Sequence, residues 1–98
     1  MTINKLTEGT KVMIALNGRI DTTTAPQLDA ELKASLPGVE ELVLDLAELS
    51  YLSSAGLRVL LGAQKTMARQ GSMILKNVNE TIMEVFEITG FVDILTIQ

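Results

Sequence analysis

Apolar and polar side chains alternate in two segments at the start of the chain, residues 2–8 and 11–17. Large apolar residues at every second position, as at Val12, Ile14 and Leu16, are typical of a β-strand with one buried face, because successive side chains point to opposite faces. Glu8-Gly9 between the two segments favours a tight turn. The pattern therefore predicts an opening β-hairpin.

Three later segments have apolar residues at the three- and four-residue spacing of amphipathic helices. They cover residues 25–36, 54–70 and 80–89. The first has a proline in its opening turn, and the other two are followed by Gly71 and Gly90, which favour helix ends. We therefore expect three helices.

Short β-compatible runs separate these helices. Residues 41–46 are mostly apolar, as expected of a strand in the middle of a sheet, and a loop through Ser50 and Tyr51 is expected to follow. Residues 72–76 and 91–97 are the last two predicted strands. The order β-β-α-β-α-β-α-β indicates the α/β class, with a mixed β-sheet and about three crossover helices packed mainly on one face.

The composition sets limits on size and partners. The chain has 98 residues, of which 47% are apolar, so residues 1–98 are expected to form a single domain. Its net charge of −4 argues against binding to nucleic acid or to anionic membrane surfaces, and no apolar run approaches the roughly 20 residues of a membrane span. Protein or small-molecule partners are therefore expected.

The chain contains neither cysteine nor histidine. Without cysteine it has no disulfide, no thiol chemistry and no zinc–thiolate site. Without histidine it lacks the usual general base and a common metal ligand. These absences disfavour most hydrolase designs, although serine, aspartate and lysine remain as groups that could act in catalysis.

Two serines, Ser53 and Ser54, stand at the predicted start of the second helix. A helix N-terminus has unpaired backbone N–H groups and the positive end of the helix dipole. It suits a capping hydroxyl, and it would equally stabilise a phosphate. From position alone, a serine here is either a cap or a modification site.

The second helix carries a basic stripe that begins at the serines. At the helical repeat, one face presents Ser54, Arg58, Gly62, Lys65 and Arg69. Such a stripe is either a solvated helix face or a docking surface. A glycine inside a helix is unfavourable, so Gly62 indicates either close approach of a partner or tight internal packing.

Polar residues Asp21–Thr24 end the second predicted strand. They would lie beside Ser53-Ser54 if both loops are at the same edge of the sheet. In one interpretation Thr24 simply caps the first helix, and in the other Asp21 helps to position a modifying partner. The sequence leaves both interpretations open.

Catalytic motifs fit the chain poorly. Residues 62–66 superficially suggest a phosphate-binding loop, but the first glycine and the Gly-Lys pair of that motif are absent. Neither serine has a histidine to activate it or a G-x-S-x-G arrangement around it. A minimal enzyme using Ser54 with Lys65 or Asp21 remains a hypothesis, although helical geometry would place Lys65 about 16 Å from Ser54 along the axis.

Four segments carry a resemblance to a known family: Asn17–Asp21, Ala25–Leu28, Leu42–Leu46 and Tyr51–Arg58. In this order they resemble the STAS domain, and in particular the small stand-alone anti-sigma factor antagonists of bacteria. None of the segments is specific by itself, but the likeness covers nearly the whole chain. It implies a cytoplasmic regulatory protein with no catalytic activity and no cofactor.

The resemblance implies a mechanism of partner switching. The unmodified protein would bind an anti-sigma factor that is also an ATP-dependent serine kinase, and a sigma factor would be released. Phosphorylation would reverse this binding. A metal-dependent serine phosphatase of the PPM type would then restore the binding form.

The resemblance also implies a set of site residues. Many members have Asp-Ser-Ser-Gly, with the phosphate-accepting serine directly before the glycine, whereas this chain has Ala55 at that position. Ser54 is then the implied phosphate acceptor and Ser53 the alternative. If the acceptor is lost, the protein is a constitutive antagonist that phosphorylation does not switch. The implied partner-binding residues are Asp21, Thr22, Ser53, Ala55, Gly56, Arg58 and Gly62.

A second hypothesis is a STAS-like regulatory domain that binds a small ligand, such as a nucleotide or an anion. It would use the start of the second helix, where backbone N–H groups are free. Tight nucleotide binding without a kinase partner would favour this alternative over partner switching.

Overall fold

The computed structural model describes the whole chain, Met1–Gln98. Its elements are β1 Thr2–Glu8, β2 Lys11–Ile20, α1 Ala25–Ser35, β3 Glu41–Leu52, α2 Ser54–Gln70, β4 Ser72–Lys76, α3 Glu80–Thr89 and a 3-10 helix at Phe91–Asp93. The longest helix, α2, has 17 residues, and none of the helices has the length and apolar character needed to cross a lipid bilayer.

The four strands form one mixed sheet in the order β1-β2-β3-β4. β1 and β2 are an antiparallel hairpin joined through Gly9, whose φ of +60° favours glycine. β2 pairs in parallel with β3, and β3 with β4, so α1 and α2 are the crossover connections. The predicted hairpin, the interior position of β3 and the mixed sheet are confirmed.

All three helices cover the same face of the sheet. A single cluster of 23 buried apolar residues joins one face of the strands to the three helices. Its fully enclosed members include Ile14 of β2, Leu44 of β3, Leu60 of α2 and Phe86 of α3, each 0% exposed. No polar or charged side chain is buried. The predicted α/β architecture with helices on one face is confirmed.

The third strand is longer than predicted, and the predicted loop through Ser50 and Tyr51 is wrong. The sequence predicts a strand over residues 41–46, whereas β3 continues to Leu52. Two register shifts against β2 each place one extra residue in β3. Such β-bulges change the spacing of the buried side chains. Beyond residue 45 the buried residues of β3 fall at every third position: Leu46, Leu49 and Leu52.

The last predicted strand, residues 91–97, is also wrong. The chain leaves α3 through Gly90, whose φ is +80°, and enters the 3-10 helix at once. Only Ile97 makes a β-bridge to β4. Phe91 and Leu95 both pack against the core, and the N–H of Leu95 donates to the carbonyl of Phe91 at 2.9 Å. The helical turn between them brings both side chains to the same side of the chain, against the core.

Candidate functional site

The two loops that the sequence singles out meet at one edge of the sheet. β2 runs to Ile20, further than predicted, and pairs there with Leu52 at the end of β3. The backbone N–H of Ser53 donates to the carbonyl of Ile20 at 2.9 Å. The residues that follow both strands therefore leave the sheet together. The predicted proximity of Asp21–Thr24 to the start of α2 is confirmed.

Ser53 is the N-cap of α2. Its backbone is extended, with φ of −88° and ψ of 173°, and its hydroxyl oxygen accepts a hydrogen bond from the backbone N–H of Gly56 at 3.3 Å. Its carbonyl accepts the first helical hydrogen bond, from Leu57 at 3.0 Å. A cap of this kind contributes about 1 kcal/mol to stability. Of the two roles that the sequence leaves open for a serine here, cap or modification site, Ser53 has the role of cap in the structure.

Ser54 is the first residue of α2, and its side chain is exposed. In contrast to Ser53, its hydroxyl makes no hydrogen bond within the chain. Another protein can reach an exposed hydroxyl at this position, and a phosphate there would lie near the positive end of the helix dipole. Of the two serines, Ser54 is the one whose hydroxyl has no structural task.

The carboxylate of Asp21 organises the turn between β2 and α1. One of its oxygens accepts hydrogen bonds from the backbone N–H groups of Thr23 at 2.9 Å and Thr24 at 3.0 Å. The N–H of Thr24, more than any other group, holds the pKa of Asp21 below its usual value of 3.8. Arg19, 3.9 Å from the second oxygen, acts in the same direction. The ionised carboxylate therefore fixes the shape of this loop.

Thr24 does not cap α1 with its side chain. Its backbone is helical, with φ of −95° and ψ of −20°, and its hydroxyl makes no capping hydrogen bond. The hydroxyl instead accepts from the backbone N–H of Asp21 at 2.9 Å and donates to the carbonyl of Arg19 at 2.8 Å. The interpretation in which Thr24 simply caps α1 with its side chain is therefore excluded, because its hydroxyl ties the loop back to the end of β2.

Two further side chains belong to this edge, Arg19 and Tyr51, and neither is among the predicted site residues. They are paired across β2 and β3, and the Arg19 guanidinium lies 4.2 Å from the centre of the Tyr51 ring. Tyr51 is 41% exposed, so the pair forms a surface beside Asp21. The second bulge of β3 sets this pairing, and no periodicity in the sequence signals it.

Three of the predicted partner-binding residues come together at a groove. Thr22, Ala55 and Arg58 line an open depression of about 440 Å³ between the starts of α1 and α2. Thr22 and Arg58 are exposed, and Ala55 is half-buried. The groove therefore begins immediately beside Ser54 and offers a surface that a partner can contact.

Gly56 does not belong to that surface. It is buried, and a Cβ at this position would lie 2.5 Å from Cδ1 of Leu52 and 2.6 Å from Cγ2 of Ile20. Both distances are well inside van der Waals contact, so only glycine allows α2 to start this close to the sheet. The partner contact predicted for Gly56 is therefore corrected to a packing role.

Gly62 has the opposite environment. It is exposed in the middle of α2, and a Cβ there would meet nothing within 4 Å. Of the two explanations that the sequence offers, tight internal packing is therefore excluded. Gly62 lines a second depression, of about 380 Å³, further along α1 and α2. Lys65 and Arg69 are exposed on the same helix, as the basic stripe predicts.

This geometry gives little support to the two alternatives, a small-ligand site and a minimal enzyme. Small-ligand sites usually combine an enclosed cavity with converging polar groups, whereas these depressions are open and the chain buries no polar or charged side chain. Asp21, a candidate partner of Ser54 in a minimal enzyme, uses one carboxylate oxygen in its own turn. The edge is better suited to contact with another protein.

Comparison with known proteins identifies the family. The family model of the STAS domain matches residues 2–98. The chain is 34% identical over 88 residues to the anti-sigma-B factor antagonist of Bacillus subtilis, covering 89% of this chain and 81% of that protein. It is 41% identical over 88 residues to BtrV of Bordetella bronchiseptica, provisionally named an anti-sigma factor antagonist, covering 88% of this chain and 76% of that protein.

A solved structure shows the same fold. SpoIIAA of Bacillus, in its phosphorylated form, superposes with a TM-score of 0.76 at 23% identity, over 99% of this chain and 91% of that one. The predicted fold class is therefore confirmed by an independent structure as well as by the observed topology. The chain belongs to the STAS domain family and, within it, to the bacterial anti-sigma factor antagonists.

Proposed function

We propose that the chain is an anti-sigma factor antagonist whose binding is controlled by phosphorylation of Ser54. The unmodified form binds an anti-sigma factor that is also a serine kinase, and a sigma factor is thereby released in the cytoplasm. The phosphorylated form does not bind, and a PPM-type serine phosphatase restores it. The chain contributes a docking surface and an acceptor hydroxyl, and it performs no chemistry itself.

The observation that carries this proposal is the contrast between the two serines. The hydroxyl oxygen of Ser53 is already engaged as the cap of α2, and its side chain is half-buried, so a kinase reaches it less easily. The hydroxyl of Ser54 is exposed and has no partner, so it can be modified while the fold remains intact. Ser54 therefore takes the acceptor role, although Ala55 occupies the position that holds the acceptor in many relatives.

The same position explains how phosphorylation would oppose docking. A phosphate adds about −1.5 to −2 charges, which the free N–H groups and the dipole of α2 can accommodate. The groove lined by Thr22, Ala55 and Arg58 begins beside it. The added charge and volume would therefore change the contact surface while the protein stays folded.

Asp21 has a supporting part in this proposal. Its carboxylate holds the loop that presents Thr22, through hydrogen bonds to Thr23 and Thr24. The exposed pair of Arg19 and Tyr51 continues the same edge. We expect this edge and the start of α2 to be contacted together by the anti-sigma factor.

The names of the relatives support the proposed partner. The Bacillus subtilis relative acts, by its name, against an anti-sigma factor of sigma-B. SpoIIAA exists in both a phosphorylated and an unphosphorylated form. The small-ligand alternative has no comparable support from the structure.

The proposal is tested by incubating the protein with ATP and the serine kinase that a tagged copy of the chain captures. Intact mass and peptide mapping would then locate the modification. We expect one phosphate on Ser54, its absence in Ser54→Ala, and its retention in the matched variant Ser53→Ala. A phosphate on Ser53 would show that Ser53, and not Ser54, is the acceptor. Tight binding of the kinase with no modification of either serine would indicate an antagonist that phosphorylation does not control.

A further inference from the structure

The charge of α2 differs from that of the rest of the chain. Its three charged residues are all basic, so the helix carries +3 in a chain of net charge −4. These residues, Arg58, Lys65 and Arg69, are all exposed. None of them takes part in the two ion pairs of the chain. Unpaired cations concentrated on one helix of an acidic protein favour an acidic partner.

An apolar groove runs beside these cations. The two depressions of about 440 and 380 Å³ share Asp29 and Val59, so they form one continuous channel, the α1–α2 groove. Leu32 and Leu36 of α1, 3% and 5% exposed, line it. Asp29 pairs with Lys33 on the same helix at 2.9 Å, so this pair adds no net charge to the wall. The uncompensated charge beside the groove therefore comes from α2.

Gly62 lies on the boundary between the groove and the cations. It lines the groove, and at the helical repeat it falls on the same stripe as Arg58 and Lys65. No contact inside the chain requires a glycine there, since a Cβ would meet nothing within 4 Å. Glycine nevertheless disfavours a helix relative to alanine. The missing side chain leaves a notch in which another chain can approach α2 closely.

We propose that the α1–α2 groove receives an acidic amphipathic helix of the anti-sigma factor. Its apolar side chains lie in the groove, its closest approach is at Gly62, and its carboxylates face Arg58, Lys65 and Arg69. Helices bind grooves of this kind through apolar residues three or four positions apart. The distance from Arg58 to Arg69, about 16 Å along α2, matches three turns of such a helix. This inference rests on the proposed function, because it names the docking segment of that partner.

Ser54 lies where a phosphate would oppose this docking mode. Ser54 is one turn before Arg58 at the head of the basic stripe. A phosphate on Ser54 would attract Arg58 and would repel the carboxylates of the docked helix. An acidic partner segment therefore explains why phosphorylation at this residue opposes binding.

The test measures the affinity of the purified anti-sigma factor captured by the chain, by titration calorimetry at low and high salt. Binding is expected to weaken with salt, and Lys65→Glu and Arg69→Glu are each expected to weaken it by about tenfold. Lys76→Glu, the same charge change at an exposed residue of β4, is the matched control and should bind like the unsubstituted chain.

Gly62 provides a test in which affinity and stability move in opposite directions. Gly62→Ala is expected to raise the midpoint of thermal unfolding by about 3–6 °C, because alanine favours the helix. The same variant should bind the anti-sigma factor more weakly, and Gly62→Leu more weakly still. A loss of binding with a gain in stability excludes misfolding as its cause.

The outcomes separate this inference from the proposed function. If the unsubstituted chain binds but Gly62→Leu and both charge reversals bind equally well, the docking mode is overturned and the proposed function stands. Stronger binding by the charge reversals would indicate a basic partner segment and would also overturn it. If the unsubstituted chain does not bind an anti-sigma factor, the proposed function fails, and this inference fails with it.

Discussion

Adjacent residues of one type have different tasks at the start of α2. The hydroxyl of Ser53 accepts a hydrogen bond from the N–H of Gly56, whereas that of Ser54 is exposed and unpartnered. The sequence places both serines at a helix start, but it does not determine which backbone is extended and which is helical. That distinction depends on where β3 ends, and β3 ends later than its apolar pattern indicates.

The two serines are expected to differ in their effect on stability. Ser53→Ala should lower the free energy of unfolding by about 1 kcal/mol, because a helix N–H loses its partner. Ser54→Ala should change it by less than about 0.5 kcal/mol, as is usual for exposed positions. Urea unfolding followed by circular dichroism measures both values. A larger loss in Ser54→Ala than in Ser53→Ala would refute our assignment of the cap.

Asp21 is expected to make the stability of the chain depend on acid pH. Its pKa in the folded chain is lowered, so the ionised carboxylate stabilises the fold above a pH of about 4. This contribution disappears as the pH falls through the folded pKa. Asp21→Asn keeps an acceptor oxygen but cannot titrate, and it should lose less stability between about pH 5 and about pH 2. Equal acid dependence in both proteins, measured by urea unfolding, would count against this role.

At the level of elements, the helices whose ends are marked by nearby capping residues or glycines are predictable from the sequence. The start of α3 has Asn79, whose side chain accepts from the N–H of Ile82 at 3.0 Å, and its end has Gly90 at a positive φ. Such signals act within a few residues of the chain. The bulges of β3 depend on its register with β2, and the 3-10 helix that replaces the last predicted strand depends on how its residues pack against the core.

The candidate site is predictable to the same extent. Parallel strands end at one edge, so the proximity of Asp21 and Ser53 follows once the topology is predicted. The pairing of Arg19 with Tyr51 does not follow, because a bulge sets it. The different environments of the two glycines of α2 cannot be read from the sequence either, since they depend on what the helix packs against.

The two glycines of α2 are expected to respond oppositely to the same substitution. Gly56→Ala should lower the free energy of unfolding by about 1–3 kcal/mol, because its Cβ would overlap Leu52 and Ile20. Gly62→Ala should raise it by up to about 1 kcal/mol, because its Cβ meets only solvent. Thermal and urea unfolding of the two variants provide the comparison. Changes of the same sign would be inconsistent with the packing described for α2.

On the scale of the whole molecule, one core supports the three helices and strands β2, β3 and β4. The 23-residue cluster includes residues of all three helices and of the central strands. Domains of this size have a net stability of only about 5–15 kcal/mol. A cavity at the centre of the sheet should therefore affect the entire molecule.

The effect of such a cavity on stability can be measured by making the same substitution, leucine to alanine, at the buried Leu44 and at the exposed Leu6. Leu44→Ala, at 0% exposure in β3, should lower the free energy of unfolding by about 2–5 kcal/mol. Leu6→Ala, at 56% exposure in β1, should lower it by less than about 1 kcal/mol. Urea denaturation of both variants gives the values. Similar losses at the two sites would mean that the core is not where we place it.

The arrangement of the molecule separates its core from the proposed phosphorylation site and docking surface. The core lies between the sheet and the helices, while Ser54, the groove and the basic stripe lie on the outside of α2. A charge added to Ser54 can therefore change what the surface binds without disturbing the core. This separation is what a protein that switches partners by phosphorylation requires.

The most direct test of this account is the affinity of one anti-sigma factor for the unmodified chain and for the chain phosphorylated on Ser54, both measured by titration calorimetry. We expect tight binding by the unmodified chain and binding weaker by at least about a hundredfold after phosphorylation, as expected when a doubly charged group enters a contact surface. Equal affinity of the two forms would contradict the account, because phosphorylation of Ser54 would then not control the binding of the partner.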